Sequence, residues 1–509
     1  MFKIKKIIAS ALMVVMTASV MAGCGSNTAK VDDGDKPVIK VLMNSIASDP
    51  NQSATAKTII EKTGYNVVYE TLPQDRAAEK LNLIIASGDS YDYIITTTDM
   101  RSQFADYAKQ GALLEVEDLV KEYGPNLLTY MTPESFDTMR IDGTLYGIPV
   151  PSISISQDGE KKASLSTMLL ARKDWMDKAG ITQKPQTIDE FTAMLQAFKD
   201  TDPGNNGSSN APLSLIAGGL NLHGVQGAFG IPHEWNEVDG KLVNIVEDPR
   251  YLDYVKYLKS LFDKGLLDPE FPTNKSATVK EKFTSGKLGI RATAYYDMGS
   301  VVDSLTKNCP GAEVEYLDAL KDSDGNQYIG LTTGPLDRLV FIPRSAKNPE
   351  HAIKLMNLIL EPENFREIAI GKEGVHYTIK DGEYWPIIPA FFDERADANN
   401  FLTSIDEKMY PIYWQARVKK DERVYEAYKY MQQPEVSRFA LEQPTKYAPY
   451  FDSDKYTSVL SQLAADYFTN IVVGADTLDT YPQFIEKWRQ EGGAAKTEEL
   501  NNWYKEYNK

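Results

Sequence analysis

Cysteine is nearly absent. Cys24 and Cys309 are the whole complement in 509 residues, and their placement gives no disulfide framework. Histidine is almost as scarce: His223, His233, His351 and His376 are the full set, and none pairs at zinc-ligand spacing. Positive charge is in deficit, with 55 Lys and Arg against 72 Asp and Glu and a formal net charge of -17. Phosphate neutralisation needs a basic face, so nucleic acid is excluded as a partner. No G-x-S-x-G elbow, H-E-x-x-H helix or P-loop occurs. Cys309-Pro310 has no base beside it in sequence and reads as a small buried hydrophobe. No repeat at solenoid spacing is present. What remains is a chain long enough for two or three domains, with 42% hydrophobic residues to fill their cores.

The amino terminus carries a specific signal. Lys3, Lys5 and Lys6 form a positive region, and residues 7–20 form an apolar stretch short for a membrane span. Met21-Ala-Gly-Cys24 follows. Small residues before a cysteine resemble the lipobox of bacterial lipoproteins, with Met21 where Leu is usual. The resemblance implies cleavage after Gly23 and lipid attachment, palmitate included, at Cys24. The alternative is a plain secretory signal with an incidental cysteine. Residues 24–36 are polar and aperiodic and read as a flexible tether. No later stretch is apolar enough to span a bilayer, so the rest is expected outside the membrane, held at its outer face by the lipid.

The remainder is organised around residues 141–151, Ile-Asp-Gly-Thr-Leu-Tyr-Gly-Ile-Pro-Val-Pro. Asp142-Gly143 reads as a turn. Pro149 and Pro151 forbid both a helix and a central strand. The segment is either a crossing between lobes or an ordinary edge strand. Before it, residues 38–43, 65–69 and 91–95 read as strands. Helices between them are capped by Ser53 and stopped by Gly64 and Gly88. That βαβαβ pattern predicts a parallel sheet, with ligands beyond its carboxyl ends at Asn44-Ser45 and 96–99. After it the pattern restarts with a strand at 168–171 and a capping box, Thr187-Ile-Asp-Glu190. Residues 288–292 and 338–342 read as further strands, and the chain beyond them is mostly helical in pattern.

Several segments together resemble one family. They are Ala86-Ser-Gly-Asp89 with Tyr91-Asp92, Asp142-Gly-Thr-Leu-Tyr-Gly-Ile-Pro149, Arg172-Lys-Asp-Trp175 with Thr187-Ile-Asp-Glu190, and Gly371-Lys-Glu-Gly-Val-His-Tyr377. The chain resembles extracellular solute-binding proteins of carbohydrate ABC importers (family 1 type), in the long lipoprotein branch that includes alginate-binding proteins. The resemblance implies an α/β, two-lobed, periplasmic-binding-protein-like fold, each lobe a sheet flanked by helices, joined by hinge segments. The expected partition is a signal peptide at 1–23, the tether at 24–36, a first lobe of 37–150 and 284–345, and a more helical second lobe of 151–283 and 346–509. The implied partners are an oligosaccharide and an ABC permease, with the membrane reached through the lipid and the protein acting as a monomer.

Sugar recognition uses aromatic faces with polar groups at the rim. Asn44, Tyr146, Trp235, Tyr295, Tyr296, Tyr410 and Trp414 are the candidates; for each ring, packing is the competing reading. Trp175 sits on an amphipathic helix and reads as core. The loop at 200–212 resembles the calcium loop of the alginate-binding branch. Asp200, Asp202, Asn206 and Asn210 are its weak candidate ligands. Gly204, Asn210 and Ala211 stand where more acidic or amide ligands are expected, and no metal or other cofactor is favoured. A lipid-anchored glycoside hydrolase is the alternative function, but among 72 acidic residues a catalytic pair is not identifiable by composition.

Replacing Cys24 with Ala is expected to move the protein from the membrane to a released fraction, read by fractionation and by mass spectrometry of the mature amino terminus. Membrane retention of the variant, with no lipid on the wild-type cysteine, would contradict this.

Overall fold

The computed structural model describes residues 36–152, 165–331 and 336–507. The signal segment, Cys24 and all of the tether but Lys36 lie outside the described residues. Ile39–Met43 sits between Val67–Thr71 and Tyr93–Thr97 and pairs with both in parallel, as the βαβαβ pattern predicts. The crossovers run through the helices Ala54–Thr63 and Ala77–Ser87. Ser53 Oγ accepts the Thr55 amide at 3.0 Å to start the first. Gly88 ends the second at φ 70, a conformation that costs a residue with a side chain roughly 1–2 kcal/mol. Two more strands complete the sheet in the order Val67–Thr71, Ile39–Met43, Tyr93–Thr97, Leu336–Phe341, Gly147–Pro151. The last two join antiparallel. The strand with Pro149 and Pro151 lies at the edge, where missing N–H donors break no ladder. Asp142 and Gly143, both at positive φ, form the two-residue turn between Arg140–Ile141 and Thr144–Leu145.

The second sheet has three strands, with Thr167–Arg172 between Ile290–Ala294 and Val314–Tyr316, all antiparallel. The helices Ile188–Thr201 and Pro249–Asp263 cover it, burying Phe191, Phe198, Tyr254 and Leu258. Thr187 Oγ1 accepts the Glu190 amide, while the Glu190 carboxylate reaches one residue further back, to the Gln186 amide. Trp175 is fully buried.

Strand pairing divides the chain differently from the expected partition. Residues 284–345 do not act as one piece of the first lobe: Ile290–Ala294 pairs in the second sheet, and Leu336–Phe341 alone joins the first. Residues 346–509 do not all follow the second lobe. Pro349–Ile359 and Pro362–Ile370 bury Ile353, Met356 and Phe365 in the first core, alongside Tyr410 and Tyr413. Apolar periodicity tells that an element is buried, not which sheet it is buried against. Among the described residues the chain therefore changes lobe three times: between Pro151 and Leu165, between Leu331 and Leu336, and within the helix Tyr410–Val418. In that helix Tyr410, Tyr413 and Ala416 belong to the first core and Val418 to the second lobe. The carboxyl-terminal helices pack on the second lobe through Phe468, Ile471, Phe484 and Trp488.

The buried Asp92 carboxylate joins three elements of the first lobe. It accepts the Lys40 amide at 2.8 Å, and the Asn348 amide and Nδ2 at 2.9 and 3.1 Å. Asp92→Ala strands these donors and is expected to cost about 2–4 kcal/mol in urea unfolding at neutral pH. A loss under about 0.5 kcal/mol, the size of an ordinary surface change, would contradict that role.

Candidate functional site

The strands Ile39–Met43, Tyr93–Thr97 and Gly147–Pro151 point their carboxyl ends to one edge of the first sheet, where ligands of such sheets collect. A cavity of about 320 Å³ opens there between the lobes. The first lobe contributes Val150 and Pro151 from the edge strand, Asp337 and Arg338 from the returning strand, and Tyr410 and Trp414 from the third crossing. The second lobe contributes Ser166, Tyr295, Tyr296, Tyr428, Glu442 and Lys446.

A chain of rings spans it. Phe365 and Tyr410 meet at 5.7 Å between centroids, Tyr410 and Trp414 at 5.9 Å, and Tyr295 touches Tyr296 and Tyr428 at 5.3 and 5.2 Å. One link across the lobes at this point is a hydrogen bond, Trp414 Nε1 donating to Tyr295 Oη at 3.0 Å. Burial pushes the Tyr295 phenol well above its usual pKa, so it stays protonated and can donate onward. Tyr410 and Tyr295 are themselves buried, Trp414 is half-buried, and Tyr296 is 61% exposed. Ring surface is therefore left for a ligand on Trp414 and Tyr296, with the Arg417 guanidinium already over the Trp414 ring at 5.4 Å from its centroid.

Four of the seven sequence candidates, Tyr295, Tyr296, Tyr410 and Trp414, come together at this cavity. Three do not line it. Asn44 lies on the same sheet edge and donates from Nδ2 to Thr97 Oγ1 at 2.8 Å. Tyr146 packs against the first core. Trp235 is a packing residue: it is buried with Leu242, Leu500 and Tyr504, between the hairpin Trp235–Val238/Lys241–Asn244 and the helix Ala494–Tyr507. Its neighbours in sequence are polar, but the last helix, which covers it, is remote in sequence. Asp337, Arg338, Tyr428, Glu442 and Lys446 were missed. A signal for Arg338 existed, a charged pair inside the apolar run Leu336-Asp-Arg-Leu-Val-Phe341. Arg338 is 8% exposed; its Nε and Nη2 donate to Asp337 Oδ2 at 2.8 and 2.7 Å, and its buried Nη1 has no partner.

The loop after Ile188–Thr201 does not fit calcium. Both Asp202 oxygens accept the loop's own amides, Asn206 at 2.9 Å and Gly207 at 2.7 Å. Asp200 accepts Gln196 Nε2, and Asn206 Nδ2 donates to the Gly286 carbonyl, each at 2.8 Å. The Lys199 ammonium donates to the Asn210 carbonyl at 2.6 Å, placing a positive charge at the loop. Asn210 Oδ1 is buried without a partner, and among the described residues no three His, Cys, Asp or Glu side chains are grouped to hold a metal ion, where calcium takes roughly six to eight oxygens.

An aromatic cavity between two crossing-linked α/β lobes is the architecture of a class that closes on small solutes, and comparison with known proteins agrees. The chain belongs to the bacterial extracellular solute-binding proteins, whose family model matches residues 54–390. It is 24% identical over 514 residues to lipoprotein LipO of Bacillus subtilis, covering 96% of this chain and 97% of that one. It is 29% identical over 357 residues to the fructooligosaccharide ABC transporter substrate-binding protein FusA of Streptococcus pneumoniae, covering 65% and 64%. Among solved structures, FusA in complex with kestose superposes with a TM-score of 0.68 at 20% identity, covering 93% of this chain and 99% of that one. The alginate-binding protein AlgQ2 without calcium ion gives 0.68 at 18% identity and the same coverage.

Chelation is expected to leave the melting temperature of this protein unchanged. A resident ion at a hundredfold excess over its dissociation constant would add about 2.7 kcal/mol, so a fall in stability of that order on adding EGTA would contradict the reading of the loop.

Proposed function

We propose that this chain is a lipid-anchored, extracytoplasmic, monomeric binding protein that captures an oligosaccharide between its lobes and presents it to an ABC permease. The observation that carries the reading is the cavity itself, in which Trp414 and Tyr296 offer ring faces and both lobes supply hydrogen-bonding groups. A sugar touching both lobes binds the approximated lobes better than separated ones, and so shifts the population towards them. Family membership supports the transport role, and the likeness to a lipoprotein supports the anchor at Cys24.

The glycoside hydrolase alternative meets a physical objection. The two carboxylates lining the cavity, Asp337 and Glu442, are each held by a cation, Arg338 and Lys446. Hydrolysis needs two carboxyl groups available to act on the glycosidic bond, whereas each of these is engaged in an ion pair, and family membership supports the binding reading. We therefore assign no catalysis to the cavity.

The test is a thermal-shift screen of tri- to pentasaccharides, followed by calorimetry with the strongest binder. Trp414→Ala is expected to lose about 2 kcal/mol of binding, roughly thirtyfold, while still unfolding cooperatively. Tyr296→Ala is expected to weaken binding with stability changed by under about 0.5 kcal/mol, because its ring is exposed. Unchanged affinity in both variants would remove the cavity from the binding function, and sugar cleavage during the titration would restore the hydrolase.

A further inference from the structure

Among the described residues, four charged side chains line the cavity, and they cancel in pairs: Arg338 with Asp337 at 2.7 Å, and Lys446 with Glu442. The pairs are not symmetric towards solvent. The cations are the hidden members, with side-chain exposures of 10% for Arg338 and 8% for Lys446. The anions face outward, at 51% for Asp337 and 37% for Glu442. A ligand entering the cavity therefore meets carboxylates first, each with acceptor capacity its cation does not use. The cations lie behind them, and of Arg338 only Nη1 is uncommitted.

Resting on the oligosaccharide reading above, we infer that the ligand is an uncharged oligosaccharide, and that Asp337, Arg338 and Glu442 set this selectivity. A sugar hydroxyl both donates and accepts, so it satisfies an outward carboxylate and the Arg338 Nη1 donor together. A uronate carboxylate has no proton to donate. It would stand against Asp337 or Glu442 as a like charge in a partly dehydrated space; it could accept from Arg338 Nη1 but could not donate to the carboxylate beside it, and it could engage the rest of Arg338, or Lys446, only by displacing their partners. The chain-wide charge of -17 acts in the same direction at longer range. Asp337 also fixes the Arg338 guanidinium through Nε and Nη2, which points its free donor before ligand arrives.

The experiment is calorimetry of the wild type and of Asp337→Asn/Glu442→Gln and Arg338→Met. The probes are uncharged trisaccharides (kestose, maltotriose, xylotriose and mannotriose) and trigalacturonate, each at low and high salt. For the wild type, at least one uncharged trisaccharide is expected to bind, about a hundredfold or more tighter than trigalacturonate and with little salt dependence. The double amide variant, nearly isosteric, is expected to narrow that gap about tenfold or more by leaving Arg338 and Lys446 uncompensated. Arg338→Met is expected to lower affinity for the uncharged sugar about tenfold, with melting curves recorded to exclude unfolding. Wild-type preference for trigalacturonate, or a gap unmoved by the amide variant, overturns this inference while leaving oligosaccharide binding intact. Failure of every trisaccharide of both classes to bind overturns the oligosaccharide reading and this inference with it.

Discussion

Two prolines two positions apart remove backbone donors from the same side of one strand, because successive residues of a strand face alternate sides. Gly147–Pro151 can therefore take a partner on one side only, and among the described residues its partner is Leu336–Phe341. That constraint places the outgoing and returning strands side by side at the end of the first sheet. It also places their tips, Pro151 and Leu336, together at the carboxyl edge where the lobes meet. The cavity follows from this arrangement. Val150, Pro151, Asp337 and Arg338 line it because these two strands are held in register, and the second lobe begins within reach of both tips.

The third crossing adds the chemistry. Tyr410–Val418 is a helix rooted in the first core that ends in the second, so Trp414 packs against both. Its bond to Tyr295 couples the lobes through a single donor and acceptor, each of which a ligand hydroxyl can also engage. A net hydrogen bond of this kind is worth only about 0.5–1.5 kcal/mol, and it is joined across the lobes by Lys419 with Glu383 and by Trp385 against Tyr425, so a bound sugar adds to contacts the lobes already share. The paired charges beside it give the cavity polarity without net charge.

Much of this was legible in the residues and some was not. The first sheet followed from alternation and helix punctuation, and the edge position of 147–151 from its prolines. Tyr295 and Tyr296 follow the strand read at 288–292, Tyr410 and Trp414 rest on the family resemblance, and the four rings line one cavity. Local pattern failed wherever the answer depended on distant pairing. The apolar run Ile290–Ala294 carries no mark of which sheet takes it, and Pro349–Ile370 looks like any amphipathic helical stretch. Trp235 was read from polar neighbours, yet its surroundings come from a helix more than 250 residues later. Arg338 was passed over because a strand's charged residue is ordinarily at its surface, whereas this one is buried and held by its neighbour Asp337.

The most direct test is a crystal structure of the protein with a bound oligosaccharide. Density is expected at the carboxyl edge of the first sheet, a sugar ring lying against Trp414 or Tyr296, a hydroxyl on Arg338 Nη1, and contacts from both lobes. A sugar bound outside this cavity, or held by one lobe alone, would contradict it.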